Sequence, residues 1–87
     1  MHAIRAGSPA TVIELLVDEG QMVAELDALV ILDSSNGEVV VITEVPGVVR
    51  EIHVEPGSSV TEGSLIALID DAIAVFDAAY LNTTHEK

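Results

Sequence analysis

The sequence lacks cysteine and tryptophan, has a single tyrosine and a single phenylalanine, and offers only three basic side chains in 87 residues. Without cysteine there is no disulfide framework and no thiolate metal site. With 15 acidic groups against those three, the formal charge is −12, so the chain repels phosphate backbones and anionic headgroups, which argues against nucleic-acid and membrane-surface partners. The longest apolar runs are about five residues, far short of the roughly 20 needed to cross a bilayer. No charged segment precedes an apolar one near Met1, so no secretory signal is recognised and the expected location is cytoplasmic. The most consequential scarcity is lysine. The basic residues are Arg5, Arg50 and Lys87, so no side-chain amine occurs anywhere in residues 1 to 86.

What is present is 49% apolar residues arranged in short runs. Val12 and the Leu15 to Val17 region, Leu29 to Leu32, Val39 to Ile42, Val48 to Val54 and Leu65 to Ile69 are rich in valine and isoleucine. Turn formers punctuate them at Asp18-Glu19-Gly20, Ser34-Ser35-Asn36-Gly37, Pro46-Gly47, Pro56-Gly57-Ser58 and Gly63-Ser64. Short β-branched runs at this spacing predict an all-β sandwich or barrel, with no helix before Ile69. A domain of this size buries only about 60% of its unfolded surface, which leaves little material for an enclosed active site.

An internal repeat appears at an offset of 37 residues. Val12, Leu15, Val17, Gly20, Val23, Glu25, Leu32 and Asp33 are matched by Val49, Ile52, Val54, Gly57, Val60, Glu62, Ile69 and Asp70, and Asp18 by Glu55. Two copies are too few for a solenoid, so the repeat predicts one domain over residues 1–70, built from two similar halves about a pseudo-two-fold axis. Between the halves, Asn36-Gly37 flanked by apolar strands predicts a hairpin with a type I′ turn, in which both central residues take positive φ.

Residues 71–87 read as a separate tail. Asp70-Asp71 suits a helix N-terminus, and Ile73, Phe76, Ala79 and Tyr80 follow at helical spacing. A short helix or arm would dock either on the barrel or on a partner subunit, and Phe76 and Tyr80, the only aromatics, are its candidate contacts. The end, from Asn82 to Lys87, is expected to fray.

The ordered set of turns resembles the biotinyl/lipoyl carrier domain family. The first half reads Val17-Asp18-Glu19-Gly20-Gln21-Met22-Val23 and then Asp27-Ala28-Leu29. The second half runs from Gly47-Val48-Val49 through Val54-Glu55-Pro56-Gly57-Ser58-Ser59-Val60 to Gly63-Ser64-Leu65. The match covers about residues 3 to 70 without a gap. The resemblance implies a flattened barrel-sandwich of two small antiparallel sheets with an acceptor lysine at the exposed hairpin tip. Here the tip reads Asp33-Ser34-Ser35-Asn36-Gly37-Glu38. Asp33, Ser34 and Glu38 agree with the flanks of a biotinyl tip, but Asn36 takes the lysine position, with Ser35 and Gly37 beside it. Biotin and lipoate are joined by an amide to an amine, and an asparagine carboxamide is not nucleophilic. The implication is a cofactor-free domain, with biotin or lipoate only if position 36 carried lysine. Leu26 also departs, standing where the pattern and the second half (Gly63) have glycine. Either the turn there differs in shape or Leu26 is an exposed apolar contact.

No other chemistry emerges. His2, His53 and His85 lack paired spacing, so no metal site is expected. His53 alternates with Ile52 and Val54 and should face outward. The carboxylates fall mainly in turns or on outward strand positions, where they solvate the domain and protect its edges. Ser34 and Ser35 have no neighbouring base and read as turn residues. Asn82-Thr83-Thr84 fits a glycosylation sequon, out of place in a cytoplasmic chain. Three functions follow. One is a non-catalytic interaction or assembly module of a biotin-dependent carboxylase or 2-oxo acid dehydrogenase type complex, with protein subunits as partners. Another is a carrier whose lysine at position 36 has been replaced. The last is a structural module that forms a homo-oligomer through its tail.

Overall fold

The computed structural model describes residues 1–71, and they are all-β. The helix or arm expected over residues 71–87, with Phe76 and Tyr80, therefore lies outside the described residues beyond its first position. Eight strands follow in order: β1 (His2–Arg5), β2 (Ala10–Leu15), β3 (Met22–Val23), β4 (Ala28–Ser34), β5 (Gly37–Ile42), β6 (Gly47–Ile52), β7 (Ser59–Val60) and β8 (Leu65–Asp70). They form two four-stranded sheets, ordered β1-β8-β6-β3 and β5-β4-β2-β7, with every pairing antiparallel. β1 was not among the apolar runs, because only Ile4 of its four residues is buried. The two-residue strands β3 and β7 carry too little pattern to be read.

The repeat becomes a topological exchange. A shift of 37 carries β2 onto β6, β3 onto β7 and β4 onto β8, and places β1 on the end of β5. Each half lends its short strand to the other sheet, since β3 pairs with β6 and β7 with β2. Even the irregularities repeat. The β2–β4 register shifts between Val12 and Glu14, and the β6–β8 register between Val49 and Glu51. Such a bulge turns extra side chains to one face. The bulge between Ala28 and Val30 accounts for the burial of both Leu29 and Val30, where strict alternation would expose one of them.

The core lies between the sheets and, among the described residues, is entirely aliphatic apart from Thr43. Its residues come in symmetry-related pairs, Val12 with Val49, Leu29 with Ile66, Leu32 with Ile69, Val23 with Val60 and Val17 with Val54, all buried. Each such side chain contributes about 1.5–3 kcal/mol on burial. Thr43 corresponds to Ala6, and its hydroxyl is satisfied locally, donating to the Val45 carbonyl at 2.7 Å and accepting from the Val45 N–H at 3.2 Å.

The turns that bracket β3 and β7 are also paired. In Thr61-Glu62-Gly63-Ser64 the Ser64 N–H donates to the Thr61 carbonyl, Gly63 has φ +87°, and its N–H donates to the Ala6 carbonyl. In Ala24-Glu25-Leu26-Asp27 the Asp27 N–H donates to the Ala24 carbonyl, Leu26 has φ +74°, and its N–H donates to the Thr43 carbonyl. The first-half turn therefore keeps its shape, contrary to one of the two expectations for Leu26. The leucine is forced into the left-handed region by the same hydrogen bonds that hold Gly63, and its side chain is 63% exposed. Positive φ at the third residue of a type II turn is what glycine ordinarily supplies.

Candidate interaction site at the hairpin tip

Strands β4 and β5 pair from Ala28↔Ile42 to Ser34↔Gly37, leaving Ser35 and Asn36 as a two-residue tip. The expected type I′ turn is not what forms. Neither Ser35 nor Asn36 has positive φ, and Gly37 alone is left-handed at +111°. This is the pattern of a type I turn closed by a left-handed glycine. The Asn-Gly pair sits one residue further along than a type I′ turn requires, because Ser34 closes the loop. Its Oγ accepts the Asn36 N–H at 3.3 Å and donates to the Gly37 carbonyl at 2.9 Å. Asn36 is thereby held at the tip, with Ser35, Gly37 and Glu38 also exposed. Asp33 and Glu38 face one another across the strands as direct Cα partners.

The tip contains no nucleophile with a base beside it. The Ser34 hydroxyl is committed to the turn, and the two histidines among the described residues lie elsewhere. His53 follows the end of β6, exposed as expected, and its Nε2 is 2.7 Å from Glu51 Oε1. His2 Nε2 lies 3.9 Å from Glu44 Oε1. No cluster of three metal-ligating side chains occurs among the described residues. His2 and Glu44 line an open groove of about 250 Å³ between the edge strands β1 and β5, together with Ala3, Ile4, Arg5, Val41 and Ile42. Several carboxylates do more than solvate. Asp27 Oδ2 accepts the Ala24 N–H at 2.8 Å and Glu19 Oε2 accepts the Ile52 N–H at 2.9 Å, closing backbone donors at turns and strand ends. No helix among the described residues is long and apolar enough to cross a membrane.

The biotin/lipoyl family, described as biotin-requiring enzyme, matches residues 2–69. The biotinylated protein TB7.3 homolog of Mycobacterium leprae (strain TN) is 38% identical over 66 residues, covering 76% of this chain and 93% of the relative. Among solved structures, the urea carboxylase of Kluyveromyces lactis superposes with a TM-score of 0.75 at 23% identity, over 79% of this chain but only 6% of the carboxylase. The lipoyl domain of the 2-oxoglutarate dehydrogenase complex of Azotobacter vinelandii gives 0.65 at 21% identity, over 77% of this chain and 95% of that domain. The structural matches carry the fold, and the profile and the mycobacterial relative carry the descent. With its exchanged short strands and exposed β4–β5 hairpin, the chain belongs to the biotinyl/lipoyl domain family.

Proposed function

We propose that this chain is a cofactor-free member of its family that serves as a protein-interaction or assembly module of a biotin-dependent carboxylase or 2-oxo acid dehydrogenase type complex. The observation that carries the reading is Asn36 at the exposed tip of the β4–β5 hairpin, the position that the family pattern gives to the acceptor lysine. An amide nitrogen does not attack an acyl adenylate, and residues 1–86 contain no lysine to substitute. The scaffold that presents the tip is retained, which suits a chain that docks where a carrier would. The relative's name, a biotinylated protein, and the likeness to a carboxylase point to a biotin-type complex as the first place to look.

The test is recovery of the tagged full-length chain from its native cells, with the partners identified by mass spectrometry. Carboxylase or dehydrogenase subunits in stoichiometric amount are expected. Recovery of the chain alone, from cells in which those complexes are intact, counts against the module. Incubation with biotin or lipoate ligase is expected to leave its mass unchanged.

The retained flanks Asp33, Ser34 and Glu38 favour a second reading, a carrier whose lysine at position 36 has been replaced. On that reading a lysine restored at position 36 is modified and the domain ferries a carboxyl or acyl group.

A further inference from the structure

The internal two-fold provides a control within the molecule, because each outer face of one sheet can be compared with its counterpart on the other. On the β1-β8-β6-β3 face the basic groups are engaged. Arg50 Nη2 donates to Asp70 Oδ2 at 2.9 Å, Arg5 Nη1 donates to the Gly63 carbonyl at 3.0 Å, and the Met1 ammonium lies 3.3 Å from Asp71. The β5-β4-β2-β7 face has the same architecture but different side chains. Asp33 stands at the position of Asp70, whereas Ile13 replaces Arg50, Ile42 replaces Arg5 and Val40 replaces Ala3.

Two consequences follow on that second face. Ile13, Val40 and Ile42 are 42%, 51% and 40% exposed, and Val40 is the direct cross-strand partner of the half-buried Ile31. Around them stand Glu14, Asp33 and Glu38, for which no basic side chain is in reach among the described residues, both arginines being engaged on the other sheet. Asp33 and Glu38 are moreover directly opposed, a like-charge pair that costs stability in a sheet. An exposed apolar patch rimmed by uncompensated charge of one sign is the signature of a protein contact surface.

We propose that the outer face of the β5-β4-β2-β7 sheet, centred on Ile31 and Val40, is a docking surface for a partner protein that presents a basic side chain among apolar ones. The basic group takes, opposite Asp33, the seat that Arg50 fills opposite Asp70 in the other half. Charge complementarity selects this occupant over a second copy, since a two-fold dimer through the face would set Glu14, Asp33 and Glu38 against the same residues of its mate. The inference rests on the module reading above and supplies it with a surface and a partner chemistry.

The probe is a capped synthetic peptide alternating arginine and valine, titrated into the full-length 15N-labelled chain and followed by amide shifts. A counterpart with glutamate for arginine is the control. Shifts are expected at Thr11 to Glu14, Ile31 to Asp33 and Glu38 to Ile42, with little change around Arg50 and Asp70. The decisive variant is Ile13→Arg, which copies the Arg50–Asp70 arrangement and fills the seat from within. It should weaken the probe by at least about tenfold, the loss that accompanies removal of one charge-assisted contact. Val40→Glu should weaken it similarly, and the dispersion of each variant's own spectrum reports that it is folded.

Equal shifts on both sheets, undiminished binding by Ile13→Arg and Val40→Glu, or equal binding of the glutamate peptide would overturn the proposal. So would concentration-dependent dimerisation that Val40→Glu abolishes, which would give the face to a second copy. The two readings also fail separately. Subunit capture unaffected by both variants leaves the module and removes this surface, whereas ligase modification of the unaltered chain removes the cofactor-free module and leaves the peptide result standing.

Discussion

Leu26 and Gly63 occupy the same backbone position in the two halves of the domain, with φ of +74° and +87° and equivalent hydrogen bonds to Thr43 and Ala6. For a residue with a Cβ the left-handed region costs about 1–2 kcal/mol. Leu26 recovers little of that through packing, because most of its side chain is in water. Leu26→Gly is therefore expected to stabilise the domain by about 0.5–1 kcal/mol once the larger unfolded-state entropy of glycine is subtracted. Thermal unfolding checks this, and a drop in midpoint would mean that the leucine makes a contact outside the described residues.

Gly47 begins β6 where the chain passes against the end of β8. A Cβ at this position would sit 2.6 Å from the Asp70 carbonyl oxygen and 2.8 Å from Ile69 Cγ2. Since the first of these is backbone, the clash cannot be relieved by a rotamer change. Gly47→Ala should destabilise by about 1–3 kcal/mol, the range for overpacking a close-packed site. Chemical denaturation of this variant beside Gly7→Ala, where a Cβ meets nothing within 4 Å, separates the steric effect from the general effect of replacing glycine.

Asp33 and Asp70 are symmetry mates in opposite electrostatic settings. Asp70 accepts from Arg50, whereas Asp33 opposes Glu38. Asp33→Asn should raise stability by about 0.2–1 kcal/mol as the cross-strand repulsion is relieved. Asp70→Asn should lower it by a similar or smaller amount, because Arg50 is nearly half exposed and its ion pair is screened. Urea midpoints at low and high salt test both signs, and the difference between the two variants should shrink as salt is added. Destabilisation by Asp33→Asn would show that the carboxylate is needed for the hairpin itself.

Position 36 is open to direct chemical test. The unaltered chain should gain no mass with biotin ligase and ATP, and Asn36→Lys should gain one biotin, because the scaffold, Asp33, Ser34 and Glu38 are already in place. Intact-mass measurement distinguishes the outcomes. Modification of the unaltered chain would sink the cofactor-free reading, and an unmodified Asn36→Lys would sink the replaced-lysine reading.

Most of the architecture was legible in the chain because β structure of this kind writes itself locally. Apolar side chains at spacing two, turn residues between them and a repeat at 37 residues were enough to predict two symmetric halves and a hairpin at their junction. The parts that escaped are those in which pattern is short or overridden. β3 and β7 have two residues each, β1 buries only Ile4, and the bulges that bury both Leu29 and Val30 break the alternation on which the reading relies. The turn forms one residue earlier than the Asn-Gly pair implies, because that signal is local. The bonds from Ser34 Oγ, which set the register of the loop, depend on where the β4–β5 pairing ends.

By itself the sequence determined the chemistry the domain lacks, since a side-chain amine absent from residues 1–86 is absent in any fold. It also determined that the hairpin tip would carry an asparagine. Only the tertiary structure decided that Arg50 of β6 would pair with Asp70 of β8, and that the hairpin register would set Asp33 opposite Glu38. Both arise from strand pairing and register, the first between strands distant in the chain and the second from where the β4–β5 turn closes.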